Sequence, residues 1–159
     1  MKTLIAYFTK HGSTEKCAKK LKKKIVGDVD LLNLKNYRRE DLKKYNKIII
    51  GSPIYMGKIR KEVDNFINEN NKLLNEKKIG FYICGMKEGS EAIKQLDESI
   101  SEDLSSKVSV KSAFGGEFNF EKMNFLEKMV VKKVAGVKKT TSNIKESLID
   151  ELATKINKL

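Results

Sequence analysis

Apolar residues follow two alternating patterns along this chain. Apolar runs too short for helices are each followed by a segment in which apolar residues recur every three or four positions. The short runs predict strands at residues 4–8, 28–34, 48–50, 78–84 and 108–114. The helical spacing predicts helices at residues 15–25, 59–67, 93–104, 123–134 and 144–159. The polar stretch at residues 35–46 is predicted to form a short helix or a loop.

Strands that alternate with helices favour a parallel sheet covered by helices on both faces, because crossovers between parallel strands are long and right-handed. The predicted fold class is therefore α/β, a three-layer α-β-α sandwich. The run Ile48-Ile49-Ile50 is typical of a strand buried on both faces. The chain has no internal repeat and no linker-like stretch, so residues 1–159 are predicted to form a single domain.

The loop between the first predicted strand and the first predicted helix is rich in hydroxyl groups. Thr9, Ser13 and Thr14 offer hydroxyl donors, and Gly12 lets the backbone approach a ligand closely. The first N–H groups of a helix have no intrahelical acceptor, so they bind anions. The loop lacks the signatures of NTPase and dinucleotide loops, and it therefore predicts a monophosphate site. A hydroxyl-rich helix cap without a ligand is the alternative.

Two further loops follow predicted strands. The first, residues 51–57, contains two glycines and a proline together with Ile54, Tyr55 and Met56. Apolar residues at the carboxyl end of a strand suggest a flat ligand, but packing of Ile54 or Met56 on a neighbouring helix is an equal alternative. The second loop, residues 85–89, leads to Ser90, which is predicted to cap the next helix.

The formal net charge of +12 comes almost entirely from lysine. Such a charge favours acidic proteins, anionic membrane surfaces or nucleic acid as partners. However, the lysines are spread over every predicted helix, and no helix interleaves them with aromatic residues as a nucleic-acid surface would. Solvated helix faces are the favoured interpretation, and no nucleic-acid partner is predicted.

Cysteine and histidine are scarce. Cys17 and Cys84 have neither metal-ligand spacing nor the spacing of a redox motif, and both are predicted to be reduced thiols in the core. His11 is the sole histidine, which excludes a site with several histidine ligands. The N-terminus lacks a signal-peptide pattern and no apolar run could cross a bilayer, so a cytoplasmic protein is expected.

The segment Thr9-Lys10-His11-Gly12-Ser13-Thr14 resembles the phosphate loop of the flavodoxin family, whose usual form is Thr/Ser-x-Thr-Gly-x-Thr. His11 stands where most members carry threonine. The resemblance implies a five-stranded parallel sheet in the order 2-1-3-4-5, in which the loops after strands one, three and four converge on one crevice. It also implies flavin mononucleotide (FMN) as the cofactor, with Tyr55 stacked on its ring.

The residues expected to contact FMN come from these three loops, and none of them is assigned a catalytic or metal-binding role. They are Thr9, Lys10, His11, Gly12, Ser13, Thr14, Ser52, Pro53, Ile54, Tyr55, Met56, Gly57, Cys84, Gly85, Met86 and Lys87. The flavin would supply the redox chemistry. We therefore expect an electron-transfer protein or a small FMN-dependent oxidoreductase, with a redox protein as its partner.

Essentially the whole chain, above all residues 48–51, 54–57 with the helix beyond them, 114–118 and 123–129, is similar to the menaquinone-dependent protoporphyrinogen dehydrogenase branch of flavodoxin-domain proteins. That similarity implies a porphyrinogen substrate and a quinone acceptor. The chain departs from the branch because it has no tryptophan and few aromatic residues in this segment. A cofactor-free interaction module on the same fold is a further alternative, although the acidic cluster of a receiver module is missing from the loop that begins at Thr9.

The segment from Phe118 to Val134 has an apolar stripe flanked by lysines. The stripe includes Phe118, Phe120, Met123, Phe125, Leu126, Met129 and Val130. Core packing of a covering helix is the favoured interpretation. Contact with an anionic membrane or with a hydrophobic substrate is the alternative.

Overall fold

A computed structural model describes residues 1–38 and 41–159. The strands are β1 (Lys2–Tyr7), β2 (Asp28–Asn33), β3 (Lys47–Pro53), β4 (Lys78–Cys84), β5 (Val108–Ala113), β6 (Glu117–Phe118) and β7 (Thr141–Ser142). The α-helices are α1 (Ser13–Lys24), α2 (Lys61–Leu74), α3 (Gly89–Ser99), α4 (Glu102–Lys107), α5 (Phe125–Ala135) and α6 (Glu146–Lys158).

The first five strands form one parallel sheet in the order β2-β1-β3-β4-β5, as predicted. Helices cover both faces, and each face has its own apolar core. Ile48, Ile49 and Ile50 of the central strand β3 are completely buried, because their side chains alternate between the two cores. The predicted α/β sandwich is confirmed.

Tyr82 of β4 joins the central sheet to the helix that follows β1. Its hydroxyl donates a hydrogen bond to the backbone carbonyl of Thr14 at 3.0 Å, and its ring stacks on Phe114 at 4.8 Å between ring centroids. The ring lies directly against Gly51, where an added Cβ would be only 2.3 Å from Tyr82 Cζ. Glycine is therefore required at this position of β3.

Two local predictions are wrong. Ser90 does not cap a helix, because α3 begins at Gly89 and its N-cap residue, Glu88, makes no capping bond. The Glu88 carboxylate instead accepts a hydrogen bond from Lys145 at 2.6 Å. The helix predicted over residues 93–104 is also interrupted, since Ser101 accepts a hydrogen bond from Leu104 N and starts α4 there.

Residues 35–46 were predicted as a short helix or a loop. The described part of this stretch contains two short 3₁₀ turns, Leu34–Asn36 and Leu42–Lys44. Leu34 and Leu42 are buried in the core from these turns. Arg39 and Glu40, which fall within the predicted stretch, lie outside the described residues.

The chain leaves the main sheet after β5 and returns at α6. We call the intervening residues 117–142 the α5 segment, in which β6 and β7 pair antiparallel around α5. Gly115 makes the departure possible, since a Cβ at this position would lie 2.0 Å from the carbonyl oxygen of Asn143. The returning segment is held by hydrogen bonds from Asn143 N to Gly116 O and from Lys145 N to Phe114 O, both at 2.8 Å.

The prediction that the apolar stripe of this segment packs in the core is wrong for α5. Phe120 is buried, but five large apolar side chains of the helix are exposed. The inward side of α5 instead presents Glu127, Lys128 and Val131, which are partly buried. No helix in the described residues is both long and apolar enough to span a bilayer.

Candidate functional site

The loop after β1 leaves the start of α1 open. Gly12 adopts a φ of +98°, its N–H donates to Thr9 Oγ1 at 3.0 Å, and its carbonyl accepts the first helical bond from Lys16 N at 2.9 Å. The Thr9 hydroxyl is thus used inside the loop. No side chain caps the helix, so the interpretation of the loop as a hydroxyl cap of α1 is wrong. The first N–H groups of α1 therefore remain available to an anion.

The Thr14 side chain is the clearest indication of a ligand site in this loop. Its hydroxyl is buried and has no hydrogen-bonding nitrogen or oxygen among the described residues. The group near it is the thiol of Cys84, which is a weak partner. A buried hydroxyl without a regular partner is costly, which indicates that this one faces a ligand.

Backbone hydrogen bonds bring the three predicted loops together. Phe8 N donates to Gly51 O at 3.1 Å, which joins the loops after β1 and β3. Ile54 N donates to Cys84 O at 2.8 Å, which joins the loops after β3 and β4. The predicted site residues therefore meet at the carboxyl edge of the sheet, where the winding direction reverses.

The loop after β3 forms a tight turn over residues 55–58. Tyr55 and Lys58 exchange two backbone hydrogen bonds of 2.9 and 3.1 Å, and Met56 and Gly57 between them have φ values of 50° and 80°. Positive φ at both central positions is the geometry of a type I′ turn, in which methionine is strained. The turn holds Met56 88% exposed and leaves Tyr55 half exposed.

The other residues of this loop support it. Ile54 packs on the core, as one of the two alternatives predicted, whereas Met56 does not. The Ser52 hydroxyl is buried and bonded within the loop, since it donates to Pro53 O at 2.9 Å and accepts from Arg60 N at 3.1 Å. Ser52 thus has a structural role here, and any contact it makes to a ligand must come from its backbone.

Two cationic groups lie near the ring of Tyr55. The Arg60 guanidinium carbon is 5.5 Å from the centre of the Tyr55 ring, and Lys10 Nζ is 5.9 Å from it. Arg60 also covers the ring of Phe8 at 5.1 Å. These contacts orient an exposed aromatic ring beside positive charge, an arrangement suited to an electron-rich or anionic flat ligand.

The loop after β4 completes the crevice. Gly85 fits closely between two other loops, since its added Cβ would be 3.2 Å from Ile54 Cβ, and its N–H donates to Gly115 O at 3.1 Å. Met86 and Lys87 beyond it are exposed. The backbone of this loop, rather than its side chains, is what the fold positions.

Cys17 and Cys84 are both buried, as predicted, and their sulfur atoms are 3.8 Å apart. The hydrogen bond with Cys17 and burial together raise the pKa of the Cys84 thiol well above its usual range. Raised thiol pKa values disfavour the reactive thiolate. Both residues therefore behave as core groups that join α1 to β4.

The sequence patterns missed the charged side chains that the α5 segment brings to the loop after β1. Glu127 Oε2 is 2.9 Å from His11 Nε2, and the same carboxylate pairs with Lys10. Burial acts to raise the pKa of Glu127, but the hydrogen bond from Lys10 and the charges of Lys10 and His11 outweigh it and lower the pKa. Lys122 Nζ lies only 3.2 Å from the Cβ position of Gly12.

The sequence contains one local indication of where α5 begins, although not of its contact with the loop after β1. Asn124 and Glu127 form a capping box, in which Glu127 N donates to Asn124 Oδ1 at 2.9 Å. The Asn-x-x-Glu spacing identifies a helix start, but nothing in the spacing identifies a partner in the first loop.

Beside this loop the surface forms an open, largely cationic cavity of about 390 Å³. It is lined by His11, Gly12, Glu15, Lys16, Lys19, Lys20, Lys23, Glu117 and Lys122. Lys16 and Glu117 pair across it at 3.0 Å. The excess of lysine gives the approach to the start of α1 a positive potential that attracts anions.

These residues fit a flavin mononucleotide. Its phosphate needs donors at the start of a helix, and the uncapped α1 supplies them together with the buried Thr14 hydroxyl, whose near neighbour is only a thiol. Its flat ring needs an exposed aromatic neighbour and backbone groups, and Tyr55 with the loops around it supplies those. The described residues contain no cluster of three acidic, cysteine or histidine side chains that could hold a metal ion.

The sequence profile of the Flavodoxin domain matches residues 4–145, which is most of the chain. This protein belongs to the flavodoxin-domain family. No curated protein matches its sequence.

Solved structures share the fold of this flavodoxin-domain protein at low sequence identity. Oxidised flavodoxin 2 from Bacillus cereus superposes with a TM-score of 0.66 at 19% identity, with 99% of each chain covered. Fusobacterium nucleatum flavodoxin bound to flavin mononucleotide gives 0.55 at 16% identity, with 99% of this chain and 97% of the other covered.

Rubredoxin oxygen:oxidoreductase from Desulfovibrio gigas is a longer protein that contains the same fold. Its structure gives a TM-score of 0.63 at 16% identity and covers 99% of this chain, which spans only 35% of that protein's length. The likeness therefore concerns the flavodoxin-like fold and not the rest of that protein.

Proposed function

We propose that this flavodoxin-domain protein binds FMN at the carboxyl edge of its sheet and transfers electrons. The observation that carries the proposal is the start of α1, where no side chain caps the helix and the buried Thr14 hydroxyl has no regular partner among the described residues. Membership of the flavodoxin-domain family supports the same cofactor. Bound FMN supplies the redox chemistry, namely the acceptance and release of electrons.

The residues of the chain have defined tasks in this proposal. The N–H groups of the first turn of α1, with the hydroxyls of Ser13 and Thr14, hold the phosphate. Lys122 adds positive charge over Gly12. Tyr55 stacks on the ring, and the backbone of residues 52–57 and 84–87 faces its polar edges.

The identity of the electron-transfer partner is a finer proposal. We favour a redox protein or a membrane quinone, since the ring would lie beside the exposed Tyr55 and Met56, where a partner can approach. The porphyrinogen substrate implied by the similarity to protoporphyrinogen dehydrogenases stays a prediction, as do the cytoplasmic location and the lack of a nucleic-acid partner.

Titration with FMN and with riboflavin tests the cofactor site. We expect FMN to bind with quenched flavin fluorescence and a raised melting temperature, and riboflavin to bind more weakly because it lacks the phosphate. Thr14→Val should weaken FMN binding roughly tenfold or more, the effect of losing a hydrogen bond to a charged group, and leave riboflavin affinity unchanged. Ser90→Ala, at an exposed serine outside the site, is the control.

Equal affinities for FMN and riboflavin in the wild type, or no binding of either, would overturn the proposal. With FMN-loaded protein, a ferredoxin-reductase coupled assay then measures carrier activity. A parallel assay with protoporphyrinogen and a menaquinone analogue measures enzyme activity, and turnover there would favour the dehydrogenase function.

A further inference from the structure

Helix α5 presents an unpartnered apolar face to solvent. Half of the exposed large apolar side chains in the described part of the chain belong to this one helix, with exposures between 52% and 75%. They are Phe125, Leu126, Met129, Val130 and Val134. At 100° per residue these positions share one side of the helix, which we call the α5 face.

The orientation of the α5 face is set by contacts on the opposite side of the helix. Glu127 points inward to His11 at 2.9 Å, and the capping box with Asn124 fixes the first turn. Before the helix, Phe120 is buried, and its N–H donates to Thr140 Oγ1 at 3.1 Å. The helix is thus attached to the domain by one side only, and the apolar side faces outward.

The exposed charged residues of α5 are all lysines. Glu127, the only acidic residue of α5, is partly buried in its pairs with His11 and Lys10. Lys133 lies within the face, Lys132 lies at its border, and Lys138 and Lys139 follow the helix, all of them exposed. An apolar helix face bordered by lysines is the pattern of a helix that lies in the interface of an anionic bilayer.

The same features disfavour other occupants. A second copy of the chain would bring two lysine-bordered faces together, and the like charges would repel each other. A polyanion such as nucleic acid would use the lysines but leave the apolar side chains uncovered. A lipid surface buries the apolar side chains and pairs the lysines with headgroups at the same time.

We propose that α5 docks this protein on the surface of an anionic lipid bilayer. Phe125, Leu126, Met129 and Val130 enter the headgroup region, and the lysines at the border contact the anionic lipids. Lys10 pairs with Glu127 of α5 and also lies 5.9 Å from the Tyr55 ring, so the start of α5 is next to the proposed flavin site. Electron transfer to a lipid-soluble acceptor would follow from this location, a consequence that rests on the proposed function.

Vesicle co-sedimentation tests the docking surface without any redox assay. The full chain, with and without FMN, is mixed with vesicles of phosphatidylcholine alone or of phosphatidylcholine with phosphatidylglycerol. We expect binding to the anionic vesicles, weakened by salt, and little binding to the neutral ones. Because binding is measured for both forms, failure of the cofactor proposal would leave this result interpretable.

Matched variants show whether vesicle binding depends on the α5 face or only on the net positive charge of the protein. Lys132→Gln/Lys133→Gln should reduce the partition constant by roughly fivefold per lysine removed. Lys72→Gln/Lys78→Gln removes the same charge from exposed lysines at the opposite edge of the sheet and should have a small effect. Likewise, Val134→Ser should weaken binding, whereas Val26→Ser, at a valine that is 80% exposed on another surface, should not.

Several outcomes would overturn the proposal. These are no binding to anionic vesicles, equal loss of binding in both lysine pairs, or concentration-dependent dimerisation that Val134→Ser abolishes. Circular dichroism and the melting temperature of each variant show whether the fold is retained. The valine pair, exposed at both positions, keeps the test valid if a lysine variant fails to fold.

Discussion

His11 Nε2 lies 2.9 Å from Glu127 Oε2, so the loop after the first strand is joined to a helix near the other end of the chain. Lys10 pairs with the same carboxylate. One acidic side chain therefore contacts two side chains of the loop that we propose to bind phosphate, and it attaches the α5 segment there.

Glu127→Gln should destabilise the fold slightly and strengthen FMN binding. Glutamine keeps the capping box but loses the charge that attracts Lys10, at a cost of about 1 kcal/mol. Lys10 is then free to act on the phosphate, and the repulsion between carboxylate and phosphate is removed. FMN titration at low salt measures the change, and the control is Glu151→Gln, which removes the exposed pair with Lys155. Unchanged FMN affinity would contradict the prediction.

Acid should destabilise the folded state, because it protonates carboxylates such as Asp97 that are ion-paired in the fold. Burial acts to raise the pKa of Asp97, but hydrogen bonds from Lys111 at 2.6 Å and Ser105 at 2.7 Å outweigh it and lower the pKa. A lowered folded pKa means that the contribution to stability is present above the unfolded value of about 3.9 and is lost as the pH falls through the folded pKa.

Urea unfolding over a series of acidic pH values checks this dependence. Asp97→Asn should give a smaller loss of stability between about pH 5 and pH 2 than the wild type shows. Glu98→Gln on the same helix is the control, because Glu98 is exposed and its pair with Lys94 is long at 3.7 Å. Parallel pH curves for wild type and Asp97→Asn would show that this ion pair does not contribute.

Gly51→Ala should be strongly destabilising. The added Cβ would lie 2.3 Å from Tyr82 Cζ, and neither β3 nor the fully buried ring can move freely. Overpacking of this kind costs about 1–3 kcal/mol or more. Chemical denaturation measures the loss in free energy of unfolding. The double variant Gly51→Ala/Tyr82→Leu should lose less of this free energy than the two single variants lose together. A fully additive double variant would show that the contact is not the cause.

Met56→Asn should stabilise the protein by up to about 1 kcal/mol, because asparagine tolerates the positive φ of the first central position in a type I′ turn. Met86→Asn is the control, as Met86 is also an exposed methionine in a neighbouring loop but has no positive φ. Thermal unfolding of both variants measures the difference. Equal shifts would mean that the change of side chain, and not the backbone, is responsible.

Cys17 and Cys84 should resist modification in the folded protein. Both are buried, and the pKa of Cys84 is raised by its contact with Cys17 and by burial. A thiol reagent such as Ellman's should react slowly with native protein and rapidly with both thiols in denaturant. Fast reaction of the native protein would contradict the burial of this pair.

Much of this architecture is readable from local patterns. Short β-branched runs such as Ile48-Ile49-Ile50 identified the strands, and the resemblance of residues 9–14 to a known phosphate loop identified the sheet order, which the structure confirms. Both signals are local, because side-chain periodicity and turn chemistry act over a few residues. The errors at Ser90 and at residues 93–104 are local as well. A serine near a helix start does not specify which residue is the N-cap, and an unbroken apolar period does not specify where one helix ends and the next begins.

By itself the sequence determined the elements, the phosphate-type loop and the apolar, lysine-flanked stripe of the α5 segment, since these depend on neighbouring residues. Only the tertiary structure decided that Glu127 meets His11, that Lys122 lies over Gly12 and that the apolar side of α5 faces outward. The physical reason is that helical spacing shows which residues share a face but not what covers it, whereas a contact between distant residues exists only once the strand order and the path of the α5 segment are in place.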